Sequence, residues 1–456
     1  MPLSLTELTA AEALCADALA LVEAAEGAEA ERLRAKLGPA GSSRWNVLLS
    51  GLRSVGKSSL VCMLWGDAEL LPTAVRDCTQ TNTLIRTPRD GEAERVLKVE
   101  HLPREKALDF ATRDLAYVRL AEFLKEQDGP LGARLENLPA EARLRRACED
   151  VRKLFKQRSD LAVLHDHLSD DLDRLDAFFA FLDAPEYRPG EVVEAPWDER
   201  RDHLMGRLLP DGRRLDVGRT LAYRHVELIR ATDRFGGEPP ELIDTPWIPA
   251  FHNARRADLI LERAREADLL LVVSLPEPYE PEPWLEEFLK AYPERAGRIA
   301  LLFNQVDTVD TLTLFTREGF AQRFVENVEK LAKRGLDPQR VFLSCARLPF
   351  LEQGTRDPFL VERVAKLKGT LEKLAKLAID RSQGLFKEKL IQACDPAGEG
   401  GLRALRAGLE SLGLELRRKR VGEALKALRM FGAFDVPPEH RAAWPALQQR
   451  VKEALG

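Results

Sequence analysis

Apolar residues recur along this chain at helical and strand spacings, and the alternation between the two sets out its elements. Residues 4–37 place Leu5, Leu8, Leu14, Leu21, Val22, Leu33 and Leu37 among alanines and acids, which predicts one long helix stopped at Gly38-Pro39. Trp45-Asn-Val-Leu-Leu-Ser50 is a short apolar run suited to a buried strand, and residues 59–65 read as a helix closing at Gly66. Residues 83–87 and 95–100 read as two strands, joined as a hairpin across Pro88-Arg-Asp-Gly91. The pattern then turns charged and helical, with helices over about 104–128, 140–158 and 160–183 and breaks at Asp128-Gly-Pro130 and near Ser159. Residues 185–220, rich in Pro, Gly, Asp and Arg, read as irregular return chain.

Strand signals resume at 223–230, an alternating run expected at a sheet edge, and at 240–243. A helix over 258–266 leads to apolar runs at 267–274, 298–303 and 340–344, each continuous enough for a buried parallel strand. Helices follow at about 358–379, 383–393, 400–415 and 416–431, with Leu402, Leu405, Leu409 and Leu412 on one face. Strands alternating with helices predict an α/β fold with a mostly parallel sheet and ligand chemistry at the strand ends. The expected division is an N-terminal helix (1–39), a first α/β part (40–102), a mainly helical insertion (103–221), a second α/β part (222–350) and a helical C-terminal region (351–456). Each terminal helix has an apolar face that needs cover, so the two ends are expected to pair in a small bundle.

Composition narrows the class without naming a ligand. The chain has 456 residues, 31% of them charged, and a net charge of −5, which gives no global argument for nucleic acid. Cys15, Cys62, Cys78, Cys148, Cys345 and Cys394 form no C-x-x-C pair, as expected of a reducing, cytoplasmic compartment. No secretory signal pattern opens the chain, and no apolar run approaches the length of a membrane span. His165 and His167 flank Asp166, but positions two apart on a helix point apart, so a solvated acidic face is expected there rather than a metal site. A solvated face is also the reading for Arg417-Arg-Lys-Arg420, and core packing for residues 428–436.

One stretch carries specific chemistry. Gly51-Leu-Arg-Ser-Val-Gly56-Lys57-Ser58-Ser59 fits the phosphate-binding loop G-x-x-x-x-G-K-[ST], with a strand before it and a helix after it. In such a loop the backbone N–H groups of residues 51–59, Arg53, Ser54 and Val55 among them, turn toward phosphate, and the helix N-terminus adds a favourable dipole. Lys57 neutralises the β- and γ-phosphates and the Ser58 hydroxyl holds Mg²⁺. Asp244 of Ile243-Asp-Thr-Pro-Trp247 directly follows a short strand, where phosphate-loop enzymes place an acid that binds Mg²⁺ through water. A threonine hydroxyl from Thr79, Thr81 or Thr83 is the expected switch contact to the same ion.

Asn304-Gln305-Val-Asp307 resembles the N/T-K-x-D guanine-specificity motif of GTPases, and Ser344-Cys345-Ala346 resembles their S-A-K element. Together with the phosphate loop, Cys78-Thr79-Gln-Thr-Asn-Thr and Leu242-Ile-Asp-Thr-Pro, they look like the bacterial dynamin-like large GTPases over roughly residues 40–102 and 222–350. The resemblance implies a GTP hydrolase in which Thr79 coordinates Mg²⁺ and helps place water, and in which Asp244, Thr245, Pro246 and Trp247 form a second switch. It implies that Ser54 helps hold a charge-compensating monovalent cation and that Asp307 reads the guanine edge. Pairing of two copies through their GTPase domains, and peripheral action on membranes, are implied in the same way. A protein partner for residues 103–184 is expected by elimination.

Three departures from that pattern stand out. Trp247 replaces the glycine of D-x-P-G, Gln305 replaces the lysine that packs on the base, and the helical stretch 103–184 exceeds the usual insertion. The first two favour an alternative, a nucleotide-binding switch or scaffold with little hydrolysis; the intact Gly56-Lys57-Ser58 and Thr79 oppose it. Arg53 and Arg76 are the candidates for an arginine contact to the transferred group.

Overall fold

The computed structural model describes residues 3–23, 25–51, 55–71, 81–127, 129–158, 162–205, 207–208, 214–215, 217–245, 264, 267–276, 283–306, 320–333, 335–346, 388–393, 399–431 and 438–455. They divide into two compact units, one of residues 1–47, 235–241 and 404–456, the other of 48–234 and 242–403.

The smaller unit joins the two chain ends. Its helices are α1 (Leu5–Val22) and α2 (Ala28–Ala40), with two C-terminal ones, Leu402–Met430 and Trp444–Leu455, that pack against them. Ser4 and Glu7 form a capping box that starts α1. The single helix expected over 4–37 is two: the chain turns at Gly27, and Arg34 donates to the Val22 and Glu23 carbonyls at 3.0 and 3.2 Å, satisfying the end of α1. Gly38-Pro39 does not stop α2, which runs on to Ala40. Leu8, Leu37, Val421, Leu425 and Trp444 bury the shared interface, so the expected bundle is present. The helices expected at 400–415 and 416–431 are one helix of 29 residues. Gly413 does not break it; the missing Cβ leaves room for the Trp45 ring. Trp444–Leu455 has no counterpart among the expected helices.

The basic cluster of that helix is not a solvated face. Arg417 grips the buried Glu12 of α1 with two hydrogen bonds, 2.7 and 2.8 Å. Arg418 donates to the Leu3 carbonyl and Arg420 to that of Arg44. Leu428 and Phe431 are buried, as core packing predicts, while Met430 is exposed; residues 432–436 lie outside the described residues.

The larger unit is built on β1 (Asn46–Ser50), α3 (Lys57–Trp65), β2 (Thr83–Arg86) and β3 (Val96–His101). Five helices follow, α4 (Arg104–Ala111), α5 (Leu115–Gln127), α6 (Gly129–Glu136), α7 (Ala140–Gln157) and α8 (Ala162–Leu182). Then come β4 (Val192–Ala195), α9 (Arg200–Met205), the short pair β5 (Arg207–Leu208) and β6 (Arg214–Leu215), and β7 (Tyr223–Ile229). β8 (Glu241–Asp244), β9 (Leu269–Ser274), α10 (Pro283–Ala291), β10 (Ile299–Phe303), α11 (Phe320–Ala332) and β11 (Val341–Leu343) complete the α/β part. Of the helices expected at 258–266, 358–379 and 383–393, only residue 264 and residues 388–393 lie within the described residues, and these are helical.

The sheet has the order β11-β10-β9-β1-β8-β2-β7-β3-β4, the α/β class expected. β9, β10 and β11 are parallel, and continuous apolar runs such as Ile299–Phe303 suit strands covered on both faces. Antiparallel neighbours enter at β8–β2, β7–β3 and β3–β4. The expected hairpin of β2 and β3 does not form. β7 lies between them, parallel to β2 and antiparallel to β3, so it is no edge strand. The edge beyond β3 is β4, taken from the stretch read as irregular.

Three expected helices between β3 and β4 are five. Asp114 accepts the Ala116 N–H at 3.0 Å and starts α5 afresh; α5 ends at Gln127, at the break expected there, and Gly129-Pro130 opens the additional helix α6. Leu120, Leu124, Leu144, Val151, Leu175 and Phe178 form their own core within the larger unit.

Candidate functional site

The turn from β1 into α3 puts the phosphate loop at the end of a central strand. Gly56 has φ 87° and begins α3; a Cβ there would stand 2.6 Å from Asn304 Nδ2, so glycine alone fits. Lys57 is buried and its Nζ donates to the Gly51 carbonyl at 2.9 Å, which closes the loop around its own lysine. α3 ends at Gly66 in the left-handed conformation, as expected.

Ser58 meets Asp244 across 186 positions of sequence: the Oγ donates to Oδ2 at 2.7 Å. Asp244 ends β8 and is fully buried. Thr245, expected in a switch, donates to the Leu49 carbonyl of β1 at 2.7 Å and ties the two strands together. Thr83 begins β2 directly opposite Asp244, so the chain arriving from residue 81 passes this carboxylate. Thr83 itself is buried and donates to the Thr81 carbonyl.

Asn304, 1% exposed, follows β10 and joins three segments. Its Nδ2 donates to the Val55 carbonyl of the phosphate loop at 2.8 Å. Its Oδ1 accepts from the Ala346 N–H at 3.2 Å and the Ser344 hydroxyl at 3.4 Å. Gln305 sits at φ 62° with its side-chain amide near Gly56. Cys345 is buried, and its N–H donates to the Gly400 carbonyl, bracing this corner from residues 399–401.

The structure thus brings together Gly51, Val55, Gly56, Lys57, Ser58, Asp244, Asn304, Ser344 and Ala346, which are scattered over 296 positions in the sequence. Ser59 is the third residue of α3 and is half-buried. Arg53, Ser54, Arg76, Thr79, Pro246, Trp247 and Asp307 lie outside the described residues, as do the side chains of His165, Asp166 and His167. No group of three or more His, Cys, Asp and Glu suited to a metal ion occurs among the described residues.

Cys62 was not singled out by the sequence. Its Sγ accepts the Leu71 N–H at 3.3 Å and faces the Leu71 carbonyl at 3.6 Å, anchoring α3 to the start of the threonine-rich segment. Burial pushes the thiol up to about 12, so it stays a neutral structural group. Only the proximity of two elements reveals it; a lone buried cysteine has no sequence signature.

No family model matches this sequence, and no curated protein matches it. Among solved structures, two chains described as an oligomerised bacterial dynamin pair that senses and tethers membranes at long range are similar to it. They share 11% identity with it at TM-scores of 0.38 and 0.37, over 93% and 92% of this chain and 46% and 48% of theirs. The chain spans about half the length of those proteins.

Proposed function

We propose that this chain binds and hydrolyses GTP. The observation that carries the reading is the meeting of Ser58 and Asp244 beside the loop lysine. A hydroxyl and a carboxylate 2.7 Å apart are the hard oxygen donors that suit Mg²⁺. Ser58 and Asp244 would hold the ion, which would supply positive charge against the phosphates. Lys57 would exchange the Gly51 carbonyl for the β- and γ-phosphates, and the N–H groups at the start of α3 would cradle them. In phosphoryl transfer such positioning and charge compensation supply most of the catalysis.

Asn304 supports guanine as the base. Its bonds join Val55 of the phosphate loop to Ser344 and Ala346, and Asp307, three positions further along the motif, would accept the N1–H and N2 amine of guanine. Lys57→Ala is expected to abolish tight nucleotide binding; hydrolysis at the wild-type rate would refute the site. Thr79→Ala is expected to spare GDP binding and slow turnover. A silent Thr79→Ala beside an inactive Thr81→Ala would move the switch by two residues.

The sequence resemblance adds pairing of two copies through their nucleotide domains, a monovalent cation at Ser54, and peripheral membrane action. Phosphate release that rises more than linearly with protein concentration is the sign expected of pairing. Potassium-independent turnover would remove the cation, and absence from liposome pellets would remove the membrane.

A further inference from the structure

Four strands from β1, at a separation of about 19 Å by ordinary strand spacing, the larger unit holds a cavity of about 510 Å³ between α8, α9 and the β4–β3–β7 edge of the sheet. Its walls are apolar: Val99, Ala177, Ala180, Phe181 and Val193. That volume and lining are those of a small-molecule site.

The polar groups converge on one end. Arg219 reaches the cavity from the 3₁₀ turn Val217–Ala222, which sits tight on α8 because a Cβ at Gly218 would stand 2.0 Å from the Arg174 carbonyl oxygen. The Arg219 Nε is buried with no hydrogen-bond partner among the described residues. A buried donor is thus left wanting an acceptor.

His101 is 4% exposed and its ring lies 5.6 Å from that of Tyr223, nearly parallel. Its Nδ1 accepts the Arg188 N–H at 3.0 Å, which places the proton of the neutral ring on Nε2 as a second donor. Burial lowers His101, and burial together with the charge of Arg219 takes His203 down to about 4, so both rings are neutral at pH 7. His203 Nδ1 and the Tyr223 hydroxyl share a hydrogen bond of 3.1 Å. Arg219 is therefore the one cation lining the cavity among the described residues, while Glu186, Glu194 and Glu199 at its mouth are exposed to solvent.

We propose that this cavity binds a small organic monocarboxylate, with its carboxylate on Arg219 and its apolar body against Phe181 and the alanines of α8. A single interior cation matches a single negative charge, and the three mouth carboxylates disfavour phosphate dianions. A planar carboxylate also fits the guanidinium fork. The inference is independent of the nucleotide reading, since none of these residues belongs to the phosphate-loop site.

Calorimetric titration of the full chain with phenylacetate, hexanoate, phenylacetamide and inorganic phosphate tests it. Phenylacetate or hexanoate is expected to bind at least tenfold more tightly than phenylacetamide, and phosphate not to compete. Arg219→Gln, with its melting temperature measured alongside, is expected to erase the preference for acid over amide. Ala180→Phe, which adds a ring to the α8 wall of the cavity, is expected to abolish binding of every probe and keeps the test decisive if Arg219→Gln does not fold. Equal affinity for acid and amide, competition by phosphate, carboxylate binding that survives Ala180→Phe, or no carboxylate binding at all would each overturn the proposal.

Discussion

Asn304 makes one side chain answer for three segments. Its amide is buried and spends donor and acceptor on the Val55 carbonyl, the Ala346 N–H and the Ser344 hydroxyl. Asn304→Ala leaves those partners without it, at about 2 kcal/mol of stability, and frees Val55 from its link to Ser344 and Ala346. We expect the urea midpoint to fall and nucleotide affinity to fall with it; an unchanged midpoint would contradict the clamp. The motif N-Q-x-D was legible in the sequence, but this role was not. A motif states which residue types recur at a spacing, and the bonds of Asn304 run to positions 249 and 42 residues away. Gly56 and Lys57 were legible because their constraint is local, a left-handed turn and a helix start within one loop.

At the scale of elements, the failures of the sequence reading have a common physical source. β2 and β3 have the propensities and the turn of a hairpin, yet β7, arriving some 130 residues later, inserts between them. Periodicity reports which faces are apolar, and it is silent about which strand supplies the neighbour. Buried charge closes the resulting layer. Arg86 of β2 is 3% exposed and pairs with Glu227 of β7 and with Glu92, which also receives the Lys98 ammonium of β3 at 3.2 Å. Arg86 holds the Glu92 carboxyl well below the usual carboxylate range. A folded value below the unfolded one means stability present above about pH 4 and lost as pH falls toward the folded value. Glu92→Gln is therefore expected to cost about 2 kcal/mol at pH 7, a difference that narrows steadily from about pH 4 downward in urea titrations. A pH-independent difference would place the effect in packing.

The Arg417–Glu12 pair argues the same lesson in the terminal bundle. From sequence the basic run is a solvated face; in the fold Arg417 and Glu12 are 11% and 6% exposed and face each other. Arg417→Leu strands a buried carboxylate and is expected to cost about 3 kcal/mol, whereas the Glu12→Leu, Arg417→Leu double variant should recover most of it. Equal losses in single and double variants, measured by thermal denaturation, would show that the side chains matter only for volume.

For the whole molecule, the α/β class, the strand-by-strand placement of polar chemistry and the pairing of the two chain ends followed from pattern alone. The cavity beside β4 did not, because its Arg219, His101 and His203 come from a stretch without periodicity and from strand and helix positions 118 residues apart at the extremes. No helix among the described residues is long and apolar enough to cross a membrane. The central claim is a guanine nucleotide site, and competition of GTP and ATP for a fluorescent GDP analogue tests it most directly. If Asp307 accepts two charge-assisted hydrogen bonds from guanine, as proposed, each worth roughly 1.5–3 kcal/mol, GTP should displace the analogue at least about a hundredfold better than ATP. Asp307→Asn should transfer that preference to xanthosine triphosphate. Equal displacement by ATP and GTP in the wild type would contradict the account and leave a phosphate-binding loop without a chosen base.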